Sequence, residues 1–471
     1  MAQALPGTTG NPLDGHAVPA DDVLTALQQW LPHQRWFPAK GTERALERVA
    51  VVALADPEGE AEVGLHLLRL PTGGLLQVPA VLRHDDGTDR PGLIARLPGS
   101  PDRVLVDGCH DPAFLRAWLA AAEHDVPVEP DLTGMRVLTG EQSNTSVLLP
   151  AAGPAAILKV FRGLSAGPNP DVDVPLALSH VGWTGVPRPL AWLTGSWPTP
   201  EGRAVGHLGV LSELVEGAAD GFELACRYAR EHTDFTALAY DLGRTTSQMH
   251  RYLRLALPVG PTGPPGPTEP SSPSTPDSAA VADPGGAAHA AAVVHTLRSR
   301  AAAAVAAAPV LSARAERIDQ VLAAVERLAD LPPLQRVHGD YHLGQVLRSP
   351  SRGWAVLDFE GEPQAPADER TRPDLALRDL AGMLRSFDYA AAVGGALSPQ
   401  WGAQARASLV EGYHDEADHG PAALPDATTE TLLRALELDK ALYEVVYESR
   451  NRPTWVQIPL DGVDRLLDRI G

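Results

Sequence analysis

The strongest structural signal in the sequence is HGDYHLGQVL at residues 338–347, followed by VLDFEGEP at 356–363. Asp340 lies in a loop after an apolar strand, and Gln345 comes five residues later. Asp358 stands at the end of the next strand, WAVLDF, 18 residues after Asp340. Phosphoryl transfer needs a carboxylate that orients or deprotonates the acceptor hydroxyl, together with oxygen ligands for the metal ions on the triphosphate. The spacing of these three side chains is typical of such a site.

The order of these residues resembles that of the protein kinases, which have a catalytic Asp, an amide side chain five residues later and a metal-binding Asp at a strand end. Gln345 stands where Asn is usual, and its carbonyl oxygen still reaches Mg²⁺ with one more methylene. Glu360 takes the place of the usual Gly, which predicts a different loop geometry. Either Asp alone could be a turn residue that caps a strand, but the full set on two consecutive strands favours catalysis. His338 is expected to organise the loop by hydrogen bonds.

A second signal lies upstream, where Lys159 follows the alternating strand AAILKVF. It is the only lysine between residues 41 and 439, which suits a phosphate-binding cation; a solvent or edge lysine is the alternative. The strand-turn-strand TGEQSNTSVLL at 139–149 precedes it and could equally be an ordinary hairpin, since it is neither a Walker A loop nor GxGxxG. The candidate phosphate donors in it are Ser143, Asn144, Thr145 and Ser146.

The segment ELVEG at 213–217 is predicted to be a hinge between two lobes. Backbone groups there, at Glu213 and Val215, would bind the adenine of ATP. Protein kinases pair the phosphate lysine with a helix Glu, and the nearest candidate here is Asp173 in NPDVDVPLALSH. Because the side chain of Asp173 is shorter than that of Glu, this ion pair requires the helix to lie closer to the strand that carries Lys159.

A β-rich half followed by a mostly helical half predicts an α+β, bilobal protein-kinase-like fold with a cleft between the lobes. The predicted domains are a disordered N-terminus (1–20), a β-rich cap subdomain (21–90), a kinase N-lobe or intermediate subdomain (91–216) and a helical C-lobe (217–471). The segment at 258–286 consists almost entirely of Pro, Gly, Ser, Thr, Ala and acidic residues. No apolar core can form from that composition, so a disordered insertion is expected there.

Composition narrows the possible functions. The chain has 59 acidic and 39 basic residues, a formal net charge of −20, and such a surface repels nucleic acid and anionic membranes. Two cysteines, Cys109 and Cys226, are too few for a disulfide framework. The first 20 residues lack the basic and apolar regions of a signal peptide, and no run of 18 apolar residues occurs. A cytoplasmic protein without nucleic-acid or membrane partners is therefore expected.

The last long helix predicts the acceptor site. Lys440, Tyr443, Glu444, Tyr447 and Glu448 recur at helical spacing on one face. Aromatic rings beside hydrogen-bonding groups suit a neutral sugar, whereas a core helix with packed tyrosines and solvated charges is the alternative. The predicted acceptor-binding set is Asp340, His342, Asp374, Arg378, Lys440, Tyr443, Glu444 and Tyr447.

Taken together, these motifs resemble the phosphotransferase superfamily of aminoglycoside and choline kinases and, within it, the actinobacterial maltokinases. The similarity covers most of the chain and is carried by QRWFPAKG, GPNPDVDV, HGDYHLGQVL, LDFEGEP and DKALYEVVYESRNRPTWVQIPL. The resemblance implies a cap subdomain up to about residue 90. It also implies Asp340 as the catalytic base, Gln345 and Asp358 as Mg²⁺ ligands, and Lys159 as the phosphate cation.

The resemblance further implies the reaction: ATP and Mg²⁺ would phosphorylate maltose to maltose 1-phosphate. That product would feed α-glucan and glycogen synthesis from trehalose, with trehalose synthase as a possible partner. A related kinase acting on glucosamine or an aminoglycoside would share every ATP-site motif, but an amino sugar calls for an extra carboxylate in the pocket. A non-catalytic binding module is the remaining alternative, and it would not require Asp340, Gln345, Asp358 and Lys159 together.

Overall fold

The computed structural model describes residues 20–38, 46–71, 73–138, 144–259, 286–328, 331–361, 370–417 and 426–468. Three of the sequence-based predictions therefore fall wholly or largely outside the described residues: the disordered N-terminus (1–19), Ser143, and residues 260–285 of the insertion. The described helices include none with the length and apolarity that a membrane span requires.

The chain forms two compact units. The first comprises Met1–Val172 and Pro189–Leu214, and the second comprises Asp173–Arg188 and Val215–Gly471. The domain boundaries predicted near residues 90 and 216 remain predictions.

The first unit is built mainly from strands. Its elements, in chain order, are α1 (Ala20–Trp30), β1 (Glu47–Leu54), β2 (Glu62–Arg69), β3 (Leu75–His84), β4 (Leu93–Leu97), β5 (Ser100–Asp107), α2 (Pro112–Ala121), β6 (Glu123–His124), β7 (Arg136–Val137), β8 (Asn144–Leu149), β9 (Ala156–Phe161), β10 (Gly163–Leu164), the start of α3 (Pro170–His180), β11 (Pro189–Thr199) and β12 (Gly202–Glu213). Among the described residues they form two antiparallel six-stranded sheets. One has the order β1-β2-β3-β5-β4, with β10 on β3, and the other has the order β6-β11-β12-β9-β8-β7.

Strand alternation gives the first sheet two buried faces. On β2, Leu65 and Leu67 join one apolar cluster and Leu68 joins another, because successive side chains of a strand point to opposite faces. The first cluster includes Phe114 of α2, and the second includes Leu27 of α1. The same rule acts in the second sheet, where Leu158 and Val160 are buried in the core. Lys159, between them on β9, therefore points away from that core.

The second unit is mostly helical. After the rest of α3 it contains β13 (Ala219–Asp220), α4 (Gly221–Glu231), α5 (Thr236–Ala256), α6 (Gly286–Ala307), α7 (Ala315–Glu326), β14 (Val346–Ser349), β15 (Gly353–Val356), α8 (Leu377–Gly394), α9 (Pro399–Ala417), α10 (Asp426–Asn451) and α11 (Gln457–Asp468). Short 3₁₀ turns lie at Leu31–His33, Gly108–His110, Pro309–Arg314, Leu343–Gln345 and Pro453–Trp455. Strands dominate the first unit and helices the second, so the predicted α+β architecture is confirmed.

Two glycines allow α5 and α9 to cross closely in the second unit. A Cβ on Gly243 of α5 would collide with the carbonyl oxygen of Leu409, and one on Gly412 of α9 would collide with that of Tyr240. The two helices can approach this closely because neither glycine carries a side chain at the crossing.

The hairpin β14–β15 brings the two sequence motifs together. Val346 pairs with Val356 in the antiparallel register, so the residue before β14 and the residues after β15 lie at the same end of the hairpin. The N–H of Leu357 donates to the carbonyl of Gln345 at 2.9 Å. Gln345 and Asp358 therefore become neighbours although 13 positions separate them.

Candidate active site

The loop that carries Asp340 is held to the hairpin by His338. This side chain is fully buried, and its Nε2–H donates to the carbonyl of Leu357 at 2.7 Å. Its Nδ1 accepts from the N–H of Asp340 at 3.4 Å, and its ring lies 4.8 Å from that of Phe359. His338 thus has the loop-organising contacts expected from the sequence.

Gln345 and Asp358 form the oxygen-rich end of the hairpin. The amide of Gln345 donates to Oδ2 of Asp358 at 3.3 Å. Asp358 has φ +62°, a left-handed conformation that costs a non-glycine residue about 1–3 kcal/mol and recurs at functional sites. Glu360 places a carboxylate oxygen within 4.8 Å of one from Asp358. The sequence-based ligand pair thus has a third oxygen donor nearby, which the comparison with protein kinases had not suggested.

Two basic groups face the Asp340 carboxylate. Lys440 Nζ lies 3.8 Å from Oδ1, and His342 Nε2 lies 3.8 Å from Oδ2. Burial lowers the pKa of His342, and the nearby Asp340 carboxylate offsets this only in part. The ring is fixed because its Nδ1 accepts the N–H of Gly344 at 3.1 Å. The side chain of Asp340 is partly exposed, with 19% of its surface accessible. Each of its two carboxylate oxygens has a basic group 3.8 Å away.

Asp379 is a functional candidate that the sequence-based reasoning missed. It lies in α8, fully buried, and accepts from the N–H groups of His338 and Gly339 at 2.8 and 2.9 Å. His250 Nε2 lies 3.1 Å from the same carboxylate. Burial would raise the pKa of Asp379, but His250, His338 and the Gly339 N–H outweigh it and lower the pKa. The sequence did contain a signal, since an acidic residue stands among the apolar positions of LRDLAGML. An Asp is seldom fully buried unless it has a partner, so its place there indicates a specific contact.

Two tyrosines of the α10 face for which acceptor binding is predicted lie side by side. Tyr443 and Tyr447 are stacked, with ring centroids 6.4 Å apart and 25° between their planes. Lys440 Nζ lies 5.2 Å from the Tyr443 centroid, and Tyr443 is 36% exposed. Lys440 therefore joins this tyrosine pair to Asp340.

Glu444 is paired with an arginine of α8. The sequence-based prediction put it on the acceptor face, but its carboxylate accepts from Nε of the fully buried Arg385 at 2.9 Å. Burial raises the pKa of Glu444 in spite of Arg385 and Lys440. The charge network beneath α10 continues from Arg385 to Asp388 and Arg406. Helical spacing identified the face of α10 but could not show that an arginine of α8 lies across from Glu444.

Asp374 and Arg378 support the start of this face. Arg378 Nη1 donates to Asp439 at 2.7 Å, and its Nε lies 2.7 Å from Asp374. Asp439 is buried and directly precedes Lys440. Arg378 thus contacts the side chain of the residue directly before Lys440, and Asp374 contacts Arg378.

In the first unit, Lys159 forms an ion pair with Asp171 of α3. The sequence had singled out Asp173, which belongs to the second unit. Asp171 is two positions earlier in the same helix and has a side chain that is only 5% exposed. The pairing of a strand lysine with a helix carboxylate is therefore present, with a different acidic residue.

The predicted phosphate donors Asn144, Thr145 and Ser146 begin strand β8 and are buried. Thr145 Oγ1 accepts from Nε of Arg162 at 2.9 Å, and Asn144 Oδ1 accepts from the N–H of Arg162 at 3.4 Å. The sequence had suggested a turn with open donors, whereas the side chains of Asn144 and Thr145 are engaged inside the unit. Nothing in the sequence around Asn144 and Thr145 indicated that Arg162 would be their partner.

Glu213 is the last residue of β12, where it pairs with Ala156 of β9. The next N–H, of Leu214, donates to the carbonyl of Ala155 at 2.9 Å. The chain passes into the second unit at Val215, which is buried. The adenine-binding role of this segment remains a prediction.

A β-rich first unit with a paired strand lysine and a helical unit with a hairpin-borne Asp–Gln–Asp set define a protein of the phosphotransferase class. The maltokinase N-terminal cap domain matches residues 30–111, and the phosphotransferase enzyme family matches residues 186–424. The chain belongs to this phosphotransferase enzyme family, and the kinase-like fold and the family inferred from its motifs are confirmed. Cap domain and family together make it a sugar kinase.

Named relatives agree with this class. A glucosamine kinase of Streptacidiphilus jiangxiensis is 31% identical over 448 residues, which cover 90% of this chain and 89% of the relative. A glucosamine kinase of Mycolicibacterium smegmatis is 31% identical over 351 residues, covering 71% of this chain and 80% of the relative. The solved structure of a glucosamine kinase in complex with glucosamine, ADP and inorganic phosphate superimposes with a TM-score of 0.61 at 28% identity, covering 91% of this chain and 96% of the other.

Proposed function

We propose that the protein transfers the γ-phosphoryl group of ATP to the anomeric hydroxyl of maltose, giving maltose 1-phosphate and ADP. The observation that carries the proposal is the continuous set of contacts from the Asp340 carboxylate through Lys440 to the stacked rings of Tyr443 and Tyr447. Such a set offers a proton acceptor, a hydrogen-bond donor and two apolar ring surfaces to one ligand.

The charges along this surface favour a neutral sugar. Lys440 would repel the ammonium group of an amino sugar bound beside Asp340. Three acidic residues next to Lys440 and the tyrosines on α10 are already paired with arginines: Asp439 with Arg378, Glu444 with Arg385 and Glu448 with Arg452. A protonated amine needs a carboxylate partner when it leaves water, and these carboxylates are engaged. Maltose has only hydroxyl groups and apolar ring faces to satisfy.

The proposed reaction is an in-line displacement at the γ-phosphorus. The anomeric oxygen forms the new P–O bond, the bond to the β–γ bridging oxygen breaks, and ADP leaves with that electron pair. Asp340 accepts the hydroxyl proton. Lys440 Nζ lies 3.8 Å from Oδ1 of the same carboxylate. The Asp379 hydrogen bonds keep the loop in place throughout.

Magnesium fits the donors at the end of the hairpin. Gln345, Asp358 and Glu360 supply only amide and carboxylate oxygens, which are the ligands that Mg²⁺ prefers. These three residues would hold the ion in our proposal, and when bound it would neutralise negative charge on the phosphate oxygens. The left-handed backbone at Asp358 supports this assignment, since such strain is kept where a side chain must be aimed.

ATP is proposed as the donor because the chain is a kinase and its structural relative binds ADP. Lys159 is assigned to the phosphates. Its ion-pair partner Asp171 is itself nearly inaccessible to solvent, and an anchored carboxylate would hold the ammonium group in one direction. By resemblance to the maltokinases, the product would feed α-glucan synthesis in the cytoplasm, with maltose derived from trehalose. Co-purification with trehalose synthase tests the proposed partnership.

Glucosamine is the second candidate substrate. It is favoured by one observation, namely that relatives covering 71% and 90% of this chain at 31% identity are glucosamine kinases. The contact between Lys440 and Asp340 argues against it. The two candidates differ in the charge of the acceptor at neutral pH, so a direct comparison separates them.

The deciding experiment is a sugar panel with ATP and Mg²⁺, read by ADP release and by ³¹P NMR of the product. Maltose, glucosamine, glucose and an aminoglycoside serve as acceptors. We expect kcat/KM to be highest for maltose and the product to be an anomeric phosphate. A higher kcat/KM for glucosamine would replace maltose with the amino sugar, and absence of turnover with every acceptor would contradict the proposed activity.

A further inference from the structure

The aromatic surface on α10 does not end at Tyr447. The guanidinium of Arg452 lies 5.5 Å from the Tyr447 ring centroid and 4.6 Å from that of Trp455. Trp455 in turn lies 6.3 Å from the ring of Tyr389. These contacts extend the surface from Tyr447 to Trp455 and Tyr389, and all three side chains are partly exposed.

A buried carboxylate fixes this extension. Glu448, with a side chain that is 1% exposed, accepts from Nε and Nη2 of Arg452 at 2.9 and 2.6 Å. The hydroxyl of Tyr389 donates to the same carboxylate at 3.1 Å. A two-point Arg–carboxylate contact holds the guanidinium plane in one orientation. Because Glu448 balances the charge of Arg452, this extension presents flat, polarisable groups without net charge.

We propose that Trp455 and Arg452 bind a third glucose ring, so that the protein also phosphorylates maltotriose and longer α-linked glucose chains at their reducing end. This inference rests on the proposed maltose activity and names a wider substrate class for the same site.

The direction of the surface supports the longer substrate. Its first member, Lys440, lies 3.8 Å from Asp340, so the anomeric hydroxyl of the reducing-end ring belongs at that end. The remaining rings must then extend away from Asp340. At about 1.5 Å per residue, the helix carries the surface about 10 Å from Lys440 to Tyr447, and Arg452 connects Tyr447 to Trp455.

The stacking geometry leaves room for sugar contacts. A centroid separation of 6.4 Å between Tyr443 and Tyr447 falls at the wide end of offset stacking, which spans about 4.5–7 Å. Rings offset in this way overlap only partly, so neither ring covers the whole face of the other. The chemistry is unchanged: the anomeric oxygen of the longer chain forms the bond to the γ-phosphorus, Asp340 accepts the proton, and ADP leaves.

The test compares kcat/KM for maltose and maltotriose in the full-length protein and in Trp455→Ala. Loss of one aromatic contact is worth about a 2- to 10-fold change, and we expect the maltotriose/maltose ratio of kcat/KM to fall by that factor. Trp455→Phe should restore most of it. Trp401→Ala is the matched control, because Trp401 lies on α9, contacts Phe235 and is outside this surface; the ratio should not change. Maltotriitol, which lacks the anomeric hydroxyl, should not be phosphorylated.

The outcomes are distinguishable. Turnover of maltose with none of maltotriose overturns the inference and leaves the proposed function intact. An unchanged ratio in Trp455→Ala also overturns it and makes the extension a structural support for the helix end. Turnover of glucosamine without maltose overturns both.

Discussion

Asp379 accepts a 2.8 Å hydrogen bond from the backbone N–H of His338, two residues before the proposed catalytic base. It also accepts from Gly339 and contacts His250. A fully buried carboxylate on α8 therefore determines the backbone path of the loop that carries Asp340. The side chain that orients the base is 39 positions away from it in sequence.

Asp379→Asn should lower both stability and kcat. The amide keeps one acceptor oxygen but turns an NH₂ group toward a backbone donor, which leaves a buried group unsatisfied at a cost of about 1–3 kcal/mol. Chemical denaturation and steady-state kinetics measure the two effects. Asp319→Asn, which breaks an exposed ion pair with Arg298, is the control and should cost at most about 1 kcal/mol. Equal losses of stability and of kcat in the two variants would contradict the role of Asp379.

Asp340→Asn should abolish most turnover while ATP binding stays near normal. Positioned bases contribute about 10²–10⁴-fold, so kcat should fall by that factor. Asp358→Asn, in contrast, should weaken binding of magnesium and ATP together, as measured by titration calorimetry with and without Mg²⁺. Retention of more than about a tenth of kcat in Asp340→Asn would show that another group takes the proton.

Lys159→Met and Lys440→Met should separate the two substrates. Hydrogen bonds to charged groups are worth about 1.5–3 kcal/mol, a change of roughly 10- to 100-fold in affinity. We expect Lys159→Met to raise KM for ATP by that factor and Lys440→Met to raise KM for the sugar. Each variant controls for the other, since the two lysines belong to different units. A rise in the same KM for both would contradict the assignment.

Tyr447→Ala should raise KM for maltose about 10- to 100-fold, because it removes a ring surface and leaves polar groups of the bound sugar unmatched. KM for ATP should stay unchanged. Tyr447→Phe retains the ring and should stay close to the wild type if stacking dominates. Parallel loss of ATP and maltose affinity would make α10 a structural support and leave the sugar site unassigned.

Acid should destabilise the first unit through His66. Burial, together with the positive charge of Arg48, lowers the pKa of His66 from 6.5 to about 4. Because the unfolded chain takes up the proton first, the free energy of unfolding falls as the pH drops from 6.5 to about 4, by about 3 kcal/mol at most. His66→Asn should flatten this part of the pH profile of Tm, whereas His84→Asn, at the exposed end of β3, should not. Equal slopes in all three proteins would rule out this cause.

Local sequence predicted the parts of the site that depend on short-range geometry. Asp340, Gln345 and Asp358 could be grouped in advance because they flank one β-hairpin, whose antiparallel register brings both ends of the motif together. Lys159 could be assigned to the face away from the core because side chains alternate along a strand. The tyrosines of α10 could be paired because helix positions four apart are neighbours.

Only the tertiary structure decided which groups lie across from these side chains. Glu444 has the same helical spacing as Tyr447, yet Arg385 of α8 engages its carboxylate. Lys159 pairs with Asp171, although Asp173 on the same helix looked as suitable.

The physical reason is the range of the interactions. The periodicity of a helix or strand fixes the direction of each side chain in it, and the pattern can be recognised from a few neighbouring residues. The partner of a buried charge depends on how separate elements pack, so it is set by contacts between residues far apart in the chain, as with Asp379 and His250, which are 129 positions apart. The sequence alone thus determined the kinase motifs and the alternation of buried and exposed faces. Packing between helices decided which of the charged groups remain open to a substrate.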